Sequence, residues 1–179
     1  MKKYTKGSLL LLLVLLGFSC QKKISLQQYL VESQEKNGFV TIDIPTSFLQ
    51  LKSEDVPDQV KATLKSIHKI NIVAFPAKEN QEVFEVEKQT LKSIFAENEK
   101  YKSLMSMKVK DMNMHFYYSG KTSSIDEVIA FGYGDEIGVG VARLLGENMN
   151  PTNMIAMINN LKIDANSLNL KQFNAIFAK

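Results

Sequence analysis

From Leu104 to Leu145 the apolar residues repeat every second position, and this stretch constrains the fold more than any other. Side chains two apart on a strand share a face. Leu104–Val109 puts Met105, Met107 and Val109 on one side. Met114–Ser119 does the same for Met114, Phe116 and Tyr118. Glu127–Tyr133 groups Ile129, Phe131 and Tyr133, and Ile137–Leu145 groups Ile137, Val139 and Val141. The connections, Lys110–Asn113, Gly120–Ser124 and Gly134–Glu136, are short and polar. Strands joined this way pair as antiparallel neighbours, so the spacing predicts a four-stranded meander over about 103–145.

Before Tyr101 the period is helical. Ser25 and Gln28 fit a capping box, and Leu26, Tyr29 and Leu30 share one face of a helix that Asn37-Gly38 ends. Phe39–Ile44 alternates as a half-buried strand closed by Pro45. Thr46–Lys52 reads as a short helical turn. Val56, Val60, Leu64 and Ile67 repeat at helical spacing, with Pro57 in the first turn and His68 at the end. Ile70–Phe75 is apolar enough for an interior strand. A longer helix follows from Asn80 to about Asn98, with Val83, Val86, Thr90, Leu91, Ile94 and Phe95 as its expected inner stripe. After the meander, Asn150 caps a helix that Pro151 starts and that carries Met154, Ile155, Ile158 and Leu161. The tail from Asp164 reads as a short amphipathic helix with Leu170, Phe173, Ile176 and Phe177 inward. Together these elements predict an α+β domain over 25–179, with a mixed sheet that contains the meander and helices covering one face.

Upstream lies a different kind of segment. Lys2, Lys3 and Lys6 precede the unbroken apolar run Leu9–Leu16, and Gly17-Phe18-Ser19-Cys20 follows. A basic start, a short apolar run and small residues describe an export signal over 1–19. The run is about half the length that a bilayer span requires. Cys20 is the only cysteine, so no intramolecular disulfide can form. Its position resembles the acceptor of a bacterial lipoprotein signal, in a relaxed form found among the Bacteroidota. Gly17 stands where the usual pattern has Leu. The resemblance implies diacylglycerol on the Cys20 thiol and an acyl chain such as palmitate on its amine. Residues 20–24 form a linker that reaches at most about 18 Å. Lys22 and Lys23 replace the acidic residues that direct such proteins to the cell surface. The expected location is therefore the periplasmic face of an outer membrane.

The three basic residues in excess all lie in the signal, so the remainder is balanced in formal charge. A nucleic-acid surface would need a basic excess, and no nucleic-acid partner is expected. The segments Ser25–Tyr29, Phe39–Pro45, Leu104-Met105, Ile125–Val128, Phe131-Gly132, Arg143–Gly146 and Met149–Pro151 together resemble a family of Bacteroidota lipoproteins, the domain of unknown function numbered 4252. The resemblance implies a lipidated envelope protein with no assigned activity, in a setting of envelope stress or regulation.

No catalytic set emerges. His68 and His115 are isolated, no serine sits in a Gly-x-Ser-x-Gly elbow, and the one thiol is taken by lipid. Asp126-Glu127 and Asp135-Glu136 are adjacent pairs whose side chains diverge on a strand. Gly132-Tyr133-Gly134 is a hairpin feature. The sequence therefore reads as a non-enzyme with no cofactor beyond the covalent lipid at Cys20.

Three features remain. All methionines except Met1 fall between Met105 and Met157. Thioethers select Cu(I), so Met105, Met107, Met112 and Met114 are the candidate metal ligands, against the simpler account of core filling. Strand alternation turns His115 away from Met114. Gly138, Gly140 and Ala142 form a small-residue face suited to an overlying helix or to a ligand at close approach. Arg143 is the only arginine. It is expected to pair with Asp126 or Glu147, or with a carboxylate on a partner. Two functional classes follow: a membrane-anchored binding or regulatory module, and a carrier of a small ligand or of Cu(I).

Overall fold

The computed structural model describes residues 24–96 and 98–163. The signal, Cys20, Gln21–Lys23 and the tail from Asp164 lie outside the described residues. The elements are α1 (Leu26–Glu32), β1 (Val40–Pro45), a 3-10 turn (Thr46–Phe48), β2 (Leu49–Leu51), α2 (Asp58–Lys65), β3 (Ile67–Pro76), α3 (Gln81–Ala96), β4 (Lys102–Val109), β5 (Met112–Lys121), β6 (Ser124–Gly134), β7 (Gly138–Met149), α4 (Pro151–Asn160) and β8 (Leu161–Ile163). The fold is α+β. A six-stranded sheet runs β1-β3-β7-β6-β5-β4, and β2 pairs with β8 in a small second sheet.

The meander β4–β7 forms as its alternation predicts, with Met107 opposite Met114 and Phe131 opposite Val141. Every pairing is antiparallel, where a mixed sheet is expected from the sequence. The reason lies in the crossovers. The β2–α2 excursion returns the chain to the end of β1, so β3 runs back beside it. Helix α3 then carries the chain past the whole sheet to its far edge, where β4 begins.

Local signals explain the helix ends. The Ser25 hydroxyl accepts from the Gln28 amide at 3.1 Å. The reciprocal half of the capping box is absent, because the Gln28 side chain donates to Glu32 instead. Gly38 turns the chain at φ +83°, and a Cβ there would stand 2.9 Å from the Phe75 ring. Asn150 Oδ1 accepts from the amides of Thr152 and Asn153 at the start of α4. Pro57 lies just ahead of α2, in an extended conformation, and its carbonyl accepts from Val60. Helix α2 stops at Lys65, so Ile67 and His68 belong to β3 rather than to the helix.

Helix α3 is rotated from its expected phase. Phe84 is fully buried and Val86 is 58% exposed. Phe84, Glu87, Leu91, Ile94 and Phe95 make the buried stripe, and one large aromatic ring outweighs two valines for the inward position. Glu87 follows it inward, paired with Lys36 at 3.1 Å. Burial, and then the charge of Glu87, push the Tyr29 phenol far above its usual range.

Two cores form, on opposite faces. Helices α1 and α3 cover one face through Val73, Phe75, Ile129, Phe131, Val139 and Val141. Residues of the opposite strand parity, including Ile44, Ile70, Val128 and Leu144, pack with α2, α4 and β2. The helices therefore do not all cover one face, as the sequence suggests. Strands β3 and β7 are apolar on both sides, and each side demands a cover.

Candidate functional site

Among the described residues the second cover is incomplete. It reaches Ile72 on β3 and stops. Beyond it the sheet face is an open apolar cleft of about 280 Å3. Its floor is Ala130 and Gly132 of β6 with Gly140 and Ala142 of β7, and its walls include Ile72, Met112 and Met114. Cross-strand register lines these residues up, with Ala74, Gly140 and Gly132 in one row and Ile72, Ala142 and Ala130 in the next. Small residues make the depth: a Cβ on Gly140 would stand 2.9 Å from the Val73 carbonyl oxygen. Among the described residues no helix lies over Gly138, Gly140 and Ala142, so the small-residue face holds a cleft where helix packing was the simpler expectation. Its lining is apolar, and no charged side chain contributes to it.

Strand β4 forms the outer rim. It is the sheet's edge strand and is exposed along its whole length. Met105 and Met107 are 47% and 43% exposed, and they share the cleft's face by register with Phe116 and Met114. The thioethers of Met112 and Met114 converge. A Cβ on Gly132 would stand 3.3 Å from the Met112 sulfur and 2.7 Å from the Met114 sulfur. His115 points to the other face, its ring stacked near Phe131 and Tyr133 at 5.9 Å. His68 is exposed in β3. No group of three or more His, Cys, Asp or Glu side chains among the described residues could hold a metal.

Arg143 is buried on the helix-covered face. Its Nε donates to Glu127 Oε2 at 3.1 Å and its Nη1 to Gln27 Oε1 at 2.5 Å. Lys100 pairs with the other Glu127 oxygen, and the Tyr101 hydroxyl donates to Oε2 at 3.4 Å. The partner is thus Glu127, neither Asp126 nor Glu147. Alternation along β6 sends Asp126 outward, and Glu147 is exposed in the stretch after Leu145 where the β6–β7 register shifts. Burial alone would raise the Glu127 carboxyl, but Lys100 and Arg143 more than offset it and hold it below the usual range. Burial, and then Glu127, raise the Tyr101 phenol. A carboxylate held by three donors is a poor proton acceptor. This network clamps α1 to β6 and β7 and offers no general base.

Sequence reasoning missed Glu127 and Gln27. The available signal was parity, since Glu127 shares the inward register of Ile129 and Phe131 and so faces the one arginine. Cys20 lies outside the described residues. No helix among the described residues is long and apolar enough to cross a membrane.

The fold and cleft define an α+β class: a fully antiparallel sheet, covered by helices on one face and, among the described residues, half covered on the other. A family model for a domain of unknown function (DUF4252) matches residues 29–172, and the chain belongs to that family. No curated protein matches the chain. No solved structure matches it either.

Proposed function

We propose that this is a lipid-anchored protein of a bacterial cell envelope, of the Bacteroidota type, acting as a non-enzymatic binding module that takes an apolar segment of a partner protein into the cleft. The observation that carries the reading is the open apolar cleft beside an exposed, apolar edge strand. Contiguous exposed apolar surface of this kind marks an interaction site. The anchor rests on the signal and Cys20, with attachment at the periplasmic face of the outer membrane. Ile24, the last residue of the linker, packs on the helix-covered face. That supports a cleft turned away from the tethered side.

Two measurements test this. Mass spectrometry of the membrane-extracted protein should find Cys20 as the N-terminus with diacylglycerol and an N-acyl chain; an unmodified N-terminus refutes the anchor. Crosslinking in intact cells should enrich a specific protein in a Cys20-dependent manner, and Ala130→Phe, which fills the cleft, should abolish the enrichment. Enrichment that survives Ala130→Phe refutes the cleft as the docking site. A second reading, a Cu(I) carrier, is favoured by the convergence of the Met112 and Met114 sulfurs over Gly132.

A further inference from the structure

We propose that the partner's apolar segment is held at the rim of the cleft as an extended strand, hydrogen-bonded along β4 as a seventh strand of the sheet and flanked by acidic residues; this rests on the reading of the cleft as a binding site. Strand β4 ends the sheet, and among the described residues no strand pairs with its outer edge. An edge strand presents a row of free backbone donors and acceptors, which is a template for another strand. Leu104, Met105, Met107 and Val109 are exposed along it. The opposite edge, β1, is blunted: it ends in Pro45, and its Asp43 is tied to Lys69 at 3.0 Å.

Register joins the free edge to the cleft. Met107 continues the row formed by Ala74, Gly140, Gly132 and Met114. Met105 continues the row formed by Ile72, Ala142, Ala130 and Phe116. Both rows cross the floor of the cleft and stop at β4. A seventh strand would add one side chain to each row, from positions two apart on the incoming segment. Each of those side chains meets a methionine, so both are apolar.

Charge selects the occupant. Lys102 and Lys108 are exposed on β4, and Lys110 is exposed just after it. The strand itself, Lys102–Val109, contains no acid, and Asp111 follows in the turn to β5. A second copy would bring the same lysines and no acid along its own β4, and like charges across a strand pair are destabilising. A segment with Asp or Glu on either side of its apolar pair matches the edge instead. The lysines, with the register shift between Ser103 and Met105, then discriminate against neutral and basic strands.

A labelled peptide tests the proposal on the full lipidated chain in phospholipid nanodiscs. The probe alternates valine and threonine between paired aspartates at its two ends, and fluorescence anisotropy is read against empty nanodiscs. The expected result is saturable binding. N-methylation of successive backbone amides, or lysines in place of the aspartates, should each weaken it at least tenfold. Lys102→Glu with Lys108→Glu should reverse the preference between the acidic and basic peptides. Absence of saturable binding, binding that N-methylation leaves unchanged, or a charge preference that the double variant leaves unmoved overturns the proposal. A bond from benzoylphenylalanine at Met107 to a second copy overturns it as well. The cleft reading is judged separately, by the in-cell enrichment that Ala130→Phe abolishes. If that enrichment holds and the peptide fails, strand addition falls and the cleft remains the binding site; if both fail, both readings fall.

Discussion

Replacing Arg143 with methionine isolates the clamp between α1 and the sheet. The side chains of Arg143 and Glu127 are 8% and 5% exposed. Arg143→Met keeps most of the packing volume and removes both the 3.1 Å bond to Glu127 and the 2.5 Å bond to Gln27. Removing one member of a buried ion pair costs about 3–5 kcal/mol, because the other charge stays buried. Lys100 still reaches Glu127, but it is half exposed, so the lower end applies, about 3 kcal/mol. For a chain of this size that is a fall in Tm of roughly 6–12 °C. Urea unfolding of the chain from Gln21 onward provides the measurement. Arg143→Lys retains the charge but cannot reach Glu127 and Gln27 together, and should cost less than Arg143→Met. In a Glu127→Leu background, Arg143→Met should cost at least about 1.5 kcal/mol less than in the wild type. A cost below about 1 kcal/mol, or full additivity with Glu127→Leu, would refute the clamp.

Other expected outcomes follow from the same geometry. Because the folded protein holds Glu127 below the usual carboxylate value, its stabilising contribution is present above about pH 4.3. That contribution is lost as pH falls through the lower folded value, so urea midpoints between about pH 5 and pH 3 should fall more steeply for wild type than for Glu127→Gln. Parallel slopes would contradict this. Phe84→Ala should destabilise by about 3–5 kcal/mol, whereas Val86→Ala should change stability by less than about 0.5 kcal/mol; calorimetry of both checks the observed phase of α3. If the thioethers bind Cu(I), anaerobic Cu(I) should raise the Tm of wild type and leave a Met107→Leu, Met112→Leu, Met114→Leu chain unmoved. Equal shifts in both would end the carrier reading.

The meander was readable because a period of two, interrupted by short polar turns, leaves few other arrangements. The phase of α3 was not. Val83 and Val86 match helical spacing as well as Phe84 and Leu91 do, and only the depth available between α1 and the sheet decides between them. The α2–β3 boundary was blurred because Ile67 continues the apolar spacing of Val60 and Leu64 while serving as the first residue of a strand. The second core depends on α2, α4 and β2 meeting from distant parts of the chain, and such pairings leave no local trace. The small residues Gly140 and Ala142 were legible as a face, but what lies over them was not. Arg143 was recognisable as a lone arginine on an apolar strand. Its partner followed from inward parity rather than from proximity along the chain, which is why Asp126 and Glu147 were the wrong choices.

The most direct test of the account is the binding of an apolar fluorescent probe, anilinonaphthalene sulfonate, to the folded chain from Gln21 onward, compared with Ala130→Phe. Saturable binding at one site per chain, weakened at least tenfold by Ala130→Phe, is the predicted result. Absence of saturable binding in every form, or binding that Ala130→Phe leaves unchanged, would contradict the claim that the half-covered sheet face is this protein's binding site.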